Sequence, residues 1–225
     1  MIVLWRVSNH CNLACPFCAY DRRLGLAREE ADPAQVARLI DLLGALGRET
    51  GRPVLLSWLG GEPLLWAPRT ELDERAAGQG IGLSLTTNGT SLGAARVRGE
   101  VVGRYREGTI SIDGMADFHD SMRGWRGAFD KLAQSVPALT AERDAAGTGL
   151  KVRVNVVLMR DNIAGFATLC RTLAGWGVDE ISFNQLGGRD RPEFYPAHRL
   201  RPDDVAQLAA EVPRLRVELG QTGTA

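Results

Sequence analysis

Val3-Leu4-Trp5-Arg6-Val7-Ser8-Asn9-His10-Cys11-Asn12-Leu13-Ala14-Cys15-Pro16-Phe17-Cys18 opens with a β-branched and aromatic run and ends in a triplet of cysteines. The run reads as a strand. The cysteines therefore fall in the loop at a strand end, where α/β barrels build their active sites. Their spacing suits three corners of a four-iron cluster whose fourth iron stays open. The alternative is zinc, because three thiolates and the neighbouring imidazole of His10 make up a tetrahedral Cys₃His set. Structural zinc loops usually come as two separated cysteine pairs, and the one further cysteine here is Cys170. Thiolate spacing by itself selects cluster or zinc only loosely.

Outward from this loop, short apolar runs alternate with longer amphipathic stretches, the pattern of βα units around a parallel sheet. Strands are expected at 2–8, 54–59, 82–87, 109–113, 151–158 and 180–184, and helices near 33–47, 69–78, 92–104, 126–145, 163–175 and 202–211. Caps support several helix starts: Asp32 before Pro33, Asp161-Asn162 before Ile163, and Pro202 followed by Asp203 and Asp204. A further strand is read at Leu215-Arg216-Val217-Glu218.

Alternate strand residues face opposite sides of a sheet. One side collects Val3, Trp5, Val7, Leu56, Trp58, Leu83, Leu85, Ile110, Ile112, Val152, Val154, Ile181 and Phe183; the other collects Arg6, Ser8, Ser57, Ser84, Thr86, Ser111, Asp113, Arg153, Asn155, Ser182 and Asn184. An ordinary eight-stranded barrel fills its interior with bulky branched side chains. A polar inner side must instead line a cavity, since buried donors and charges without partners each cost kilocalories. The expected fold is α/β, a partial (β/α)6 TIM-like barrel of parallel strands with outer helices, open enough for a sizeable polar ligand. A sheet with one solvated side is disfavoured because parallel sheets are covered on both faces.

The 225 residues fall within the size of one α/β barrel, and residues 1–225 are read as a single domain. Hydrophobic residues make up 44%, and Lys plus Arg (27) balances Asp plus Glu (27). That balance excludes a disordered chain and a phosphate-neutralising one, so nucleic acid is not an expected partner. There is no apolar run near the ~20 residues needed to span a bilayer and no basic-apolar leader, so no membrane partner is expected. Clustered reduced thiols fit a cytoplasmic location.

Polar or glycine-rich residues follow the strands: Gly60-Gly61-Glu62-Pro63, Thr86-Thr87-Asn88-Gly89, Asp113-Gly114 with His119-Asp120 and Arg123-Gly124 downstream, and Asn184-Gln185-Leu186-Gly187-Gly188. Together with the cysteine triplet, in this order, they resemble the radical S-adenosylmethionine (SAM) superfamily. The likeness is to the core of its SPASM-type branch of sulfatase-maturating and peptide-maturing enzymes, and it extends over nearly the whole chain.

The resemblance implies a [4Fe–4S] cluster on Cys11, Cys15 and Cys18, with SAM chelating the open iron. It implies that Gly60 and Gly61 let the backbone approach the methionyl amine, with Glu62 as a charged acceptor for it. Ser111 and Asp113 would reach the ribose or carboxylate, Arg123 would pair with the carboxylate through its two-pronged guanidinium, and Asn155 would touch the ribose. Phe17 and Leu186 would flank the adenine. The implied activity is reductive cleavage of SAM and hydrogen abstraction from a peptide or protein side chain, with small molecules kept open and an electron donor such as flavodoxin or ferredoxin. A non-catalytic iron–sulfur electron-transfer or zinc-binding protein is the alternative.

The chain departs from that branch by carrying no cysteine-rich C-terminal extension, so it is either a compact enzyme or a core truncated after residue 219. Other features have structural readings. Cys170 is expected as a buried apolar thiol, and His119 either orders its loop or touches substrate. The charged run 187–195 lies where substrate could enter, and Asp21-Arg22-Arg23 either covers the site or solubilises the loop.

Overall fold

The computed structural model describes residues 1–25 and 27–225. Its strands are β1 (Ile2–Ser8), β2 (Leu55–Gly60), β3 (Gly82–Thr87), β4 (Glu107–Ser111), β5 (Lys151–Leu158) and β6 (Glu180–Gln185). They pair in chain order, and every pair is parallel. Sequential parallel order with a helical crossover between neighbours gives an incomplete barrel, open between β1 and β6. The crossovers are α1 (Pro33–Thr50), α2 (Arg69–Gly78), α3 (Ala95–Arg104), α4 (Ala116–Arg123), α5 (Ala128–Ala146) and α6 (Ile163–Gly175); α7 (Tyr195–His198) and α8 (Pro202–Gly220) follow.

Two of the three expected helix starts are capped, whereas Asn162 makes no capping bond to α6 and its Oδ1 accepts from the Met159 amide at 2.8 Å instead. Asp32 caps α1 by accepting from the Ala34 amide at 2.9 Å, with Pro33 in the first turn. The Arg201 amide donates to Asp204 at 2.7 Å where α8 begins.

The side facing the helices is the core: Val7, Leu56, Trp58, Leu83, Leu85, Ile110, Val152 and Val154 are buried. The other side carries the expected polar residues, and its lower end is closed by charge. Arg153 pairs with Glu107 and Glu180, and Lys151 pairs with Glu180. Val3, Trp5 and Ile181 are partly buried against this core, and Phe183, on the open edge strand β6, stays 41% exposed.

Several boundaries differ from expectation. The strand expected at 109–113 sits two residues earlier. The helix expected over 126–145 is preceded by a separate one, α4, because Gly124 (φ 58°) and Gly127 (φ 70°) turn the chain through left-handed backbone between α4 and α5. Leu215–Glu218 is not a strand but part of α8. Its alternation mimics a strand over four residues, yet Leu208, Leu215 and Leu219 are the buried positions, which is helical spacing.

One buried polar cluster holds the helix layer to the sheet. Asp73 on α2 accepts from Trp58 Nε1 at 2.7 Å, from Tyr105 Oη at 2.7 Å and from Arg69 at 2.8 Å. Removing one partner of a buried pair leaves the other charge uncompensated, at about 3–5 kcal/mol. Asp73→Ala should therefore lower stability by about that amount, read as a shifted denaturant midpoint at constant slope.

Candidate functional site

The triplet lies in the β1–α1 connection, at the C-terminal ends of the strands. Backbone bonds coil this loop tightly: Cys18 N to Cys15 O at 3.1 Å, Asp21 N to Cys18 O at 3.3 Å, and Arg22 N to Leu13 O at 3.0 Å. The C-terminus of α4 supports it from below, where the Ala14 amide donates to Arg123 O at 3.4 Å. Asp21 is part of this scaffold, buried and paired with Arg23 at 2.7 Å and with Arg191 at 3.2 Å. The two guanidinium groups hold its carboxyl down at about 2. Through Arg191 the charged run 187–195 is latched onto the cysteine loop.

The glycines after β2 have a clear steric reason. The Gly61 amide donates to Ser8 O at 2.7 Å and the Glu62 amide to His10 O at 2.8 Å, so the two strand ends nearly touch. A Cβ on Gly61 would lie 1.8 Å from His10 O, and one on Gly60 (φ 132°) would lie 2.1 Å from Ser8 O. These glycines make room for the cysteine loop's own backbone.

The three thiols open onto one cavity of about 270 Å³. Of the residues expected around a cofactor, Gly60, Gly61, Ser111 and Arg123 line it with Cys11, Cys15 and Cys18. Phe17, Glu62, Asp113, Asn155 and Leu186 do not, and the reasons are local. Glu62 is buried, and its carboxylate accepts from Leu64 N (3.1 Å), Thr87 Oγ1 (2.7 Å) and Asn88 N (2.7 Å). Asp113 accepts from Val157 N at 2.9 Å and approaches Arg123 Nε to 2.7 Å. Asn155 Oδ1 accepts from Asn184 Nδ2 at 2.9 Å. Leu186 is buried with its amide on Leu158 O at 2.9 Å, and Phe17 lies beneath the Arg123 guanidinium at 5.4 Å.

Electrostatics in the cavity favour anions. Among the described residues no carboxylate lines it, whereas Arg6 and Arg123 do. Arg123 is held by Asp113 through Nε alone, which leaves its terminal nitrogens without a protein partner among the described residues. Burial pushes all three thiols up, Cys15 to about 12, and the Arg123 guanidinium opposes that rise at each. Two sulfurs also receive N–H donors: Cys11 from Leu13 N (3.5 Å) and Cys18 from Tyr20 N (3.4 Å). Among the described residues no three His, Cys, Asp or Glu side chains close around a single ion. All three thiols border the cavity, and His10 is exposed.

Sequence reasoning passed over Leu13, Tyr20 and Leu59 as lining residues. Arg6 lines the cavity as its place with Ser8 on the inner side of β1 led one to expect. His119 proves to be a loop-ordering residue: it is buried, its Nδ1 accepts from the Asp113 amide at 3.2 Å, and burial lowers it to about 4, so it is neutral at pH 7. Cys170 is a core thiol, as its helical spacing suggested. No described helix is long and apolar enough to cross a membrane.

Residues 5–142 match the radical SAM superfamily. The AdoMet-dependent heme synthase of Oleidesulfovibrio alaskensis is 31% identical over 79% of this chain and 44% of its own length. The PqqA peptide cyclase of Xanthomonas euvesicatoria is 25% identical over 98% of this chain and 56% of its own. Streptococcus suis SuiB, solved with its precursor peptide SuiA, shares the fold at a TM-score of 0.73 and 18% identity, over 96% of this chain and 46% of that one. The chain thus spans about half the length of the curated relatives it matches. With the strand order, the partial barrel and the match over most of the first two-thirds of its length in agreement, this chain belongs to the radical SAM superfamily, whose cofactors are a [4Fe–4S] cluster and SAM.

Proposed function

We propose that residues 1–225 form a single radical SAM core in which Cys11, Cys15 and Cys18 hold a [4Fe–4S] cluster and the adjoining cavity holds SAM. The observation that carries this reading is the set of three thiols facing one anion-favouring cavity beside a guanidinium whose terminal nitrogens have no protein partner among the described residues. The donor set fits the group: soft sulfur ligands, N–H donors to two of them and a cation alongside. When bound, a reduced cluster with SAM supplies one-electron cleavage of the sulfonium and a carbon radical that takes a hydrogen atom from substrate.

The protein's part is to bind, align and exclude water. Arg123 receives the methionyl carboxylate on its terminal nitrogens, with Asp113 fixing the guanidinium from behind. Gly60 and Gly61 present bare backbone to the amine, and Ser111 offers a hydroxyl to the ribose. Asn155, beside Ser111 in register, completes the polar wall, and Phe17, beneath the Arg123 guanidinium, and Leu186 are assigned to the adenine side. Glu62 acts as a positioning residue, since its carboxylate ties the Gly-Gly turn to β3. Arg123→Lys keeps the charge opposite Asp113 but loses the fork. It should weaken SAM binding about tenfold to a hundredfold at unchanged iron content, measured by equilibrium titration.

The substrate proposed is a peptide or protein side chain, supported by the relatives named as a PqqA peptide cyclase and as SuiB with its peptide. A second reading, a carboxylate-bearing tetrapyrrole, is supported by Arg6, which lines the cavity without a carboxylate partner among the described residues, and by the heme synthase relatives. A flavodoxin or ferredoxin is proposed as electron donor. Reconstituted, reduced protein should convert SAM to methionine and 5′-deoxyadenosine, and deuterium from labelled substrate should appear in the 5′-deoxyadenosine. A protein that builds the cluster yet never cleaves SAM would point to electron transfer instead.

A further inference from the structure

We infer that the Asn88 side-chain amide acts on the Cys11 thiolate, raising the reduction potential of the cluster that Cys11 helps to hold. Among the described residues Asn88 is the one side chain that donates to a thiol of the triplet: its Nδ2 lies 3.7 Å from Cys11 Sγ, whereas the Leu13 and Tyr20 donors are backbone amides. Cys15 has no such donor and turns its Sγ toward Arg123 O at 4.0 Å. The three ligands are therefore inequivalent, and the difference comes from another strand end.

The orientation of this amide is determined by its partners. Asn88 Oδ1 accepts from Thr90 N at 2.9 Å and Thr90 Oγ1 at 2.7 Å, so the nitrogen must face the cysteine loop. That nitrogen divides its protons between Cys11 Sγ and Asn12 Oδ1, the latter at 2.9 Å. Asn12 in turn donates to Thr90 Oγ1 at 3.0 Å, which closes a polar ring between the cysteine loop and the segment after β3. The Asn88 main chain is pinned separately, its amide on buried Glu62 at 2.7 Å. A side-chain substitution thus removes the donor while the backbone anchor remains.

A donor aimed at a ligand sulfur stabilises the extra negative charge of the reduced cluster more than the oxidised one, and hydrogen bonds to sulfur are among the factors that set cluster potentials. The same bond holds the Cys11 sulfur beside the segment after β3. Asn88 is a positioning residue acting through Cys11.

This inference rests on the cluster reading above, and the test separates the two. Wild type, Asn88→Leu and Asn12→Ala are reconstituted with iron and sulfide, and the cluster potential is measured without SAM by dye-mediated titration followed by EPR. Asn88→Leu removes the donor and should lower the potential. A tenfold fall in the reduced-to-oxidised ratio at fixed poise corresponds to about 59 mV for one electron. Asn12→Ala removes the acceptor of the other amide proton, leaves the proton directed at Cys11 Sγ and should keep the wild-type potential. Should Asn88→Leu take up no iron, Asn88→Ala, which removes the same donor without added bulk, decides by the same downward shift. An Asn88 variant with the wild-type potential in a cluster of full iron content, or an equal downward shift in Asn12→Ala, would overturn the role of Asn88. Wild-type protein that assembles no cluster would overturn the cluster reading itself and this inference with it.

Discussion

Cys15→Ser protein, reconstituted with iron and sulfide, is expected to hold no intact four-iron cluster and to form no 5′-deoxyadenosine above background. Cys15 is the most deeply placed of the triplet, 5% exposed, so a replacement ligand from solvent or from an added thiol has little access. A serine hydroxyl is a hard, weakly acidic donor where a soft thiolate is needed. The contrast is Cys170→Ser, which alters a core thiol on α6 far from the cavity lining and should leave iron content and SAM cleavage unchanged at some cost in stability.

Assembly should also depend on pH. Burial raises all three thiols, Cys15 to about 12, so the metal-free protein holds them protonated at neutral pH. Binding releases those protons, and cluster uptake should strengthen as pH rises and weaken as it falls.

Gly61→Ala is expected to have the second large effect. Its Cβ would sit 1.8 Å from His10 O and 2.4 Å from His10 C, and both are backbone atoms that no rotamer change can move. The strand-end contact must open, breaking the Gly61 N to Ser8 O and Glu62 N to His10 O bonds that seat the cysteine loop. Overpacking of this kind costs about 1–3 kcal/mol, and each broken buried bond adds about 1 kcal/mol. A drop of about 3–5 kcal/mol in unfolding free energy, with reduced iron uptake in the protein that remains folded, is the expected outcome. Gly93→Ala, where an added Cβ meets nothing within 4 Å, should match wild type in both measurements. If Gly61→Ala behaves like Gly93→Ala, the strand-end contact does not seat the loop.

The barrel was legible because its evidence is periodic. Six apolar runs alternate with amphipathic stretches, and all six strands lie within two residues of expectation. Elements with little periodic signal were not legible. Helix α4 has only eight residues, between a strand end and two glycines, and its polar HDSMRG segment reads as a loop. In α8 the local alternation at Leu215–Glu218 imitates a strand, and only the longer spacing back to Leu208 reveals the helix.

The site shows a similar division. Motif order gathered the cysteines, Gly60, Gly61, Ser111 and Arg123 around one cavity. Residue type could not say where a carboxylate points. Glu62 and Asp113 are both acids at strand ends, yet each is taken by neighbours, Glu62 by Thr87 and Asn88 and Asp113 by Arg123 and Val157. Which donor reaches a buried carboxylate depends on the packing of separate strand ends, and a one-dimensional pattern does not carry that.

The central claim is that this cavity joins a three-thiolate cluster to SAM at an open iron. The most direct measurement is EPR of the reduced, reconstituted protein before and after SAM is added. Chelation at the unique iron predicts a changed g-tensor and a nitrogen coupling from the methionyl amine when ¹⁵N-labelled SAM is used. Identical spectra with and without SAM, from a cluster of full iron content, would contradict it.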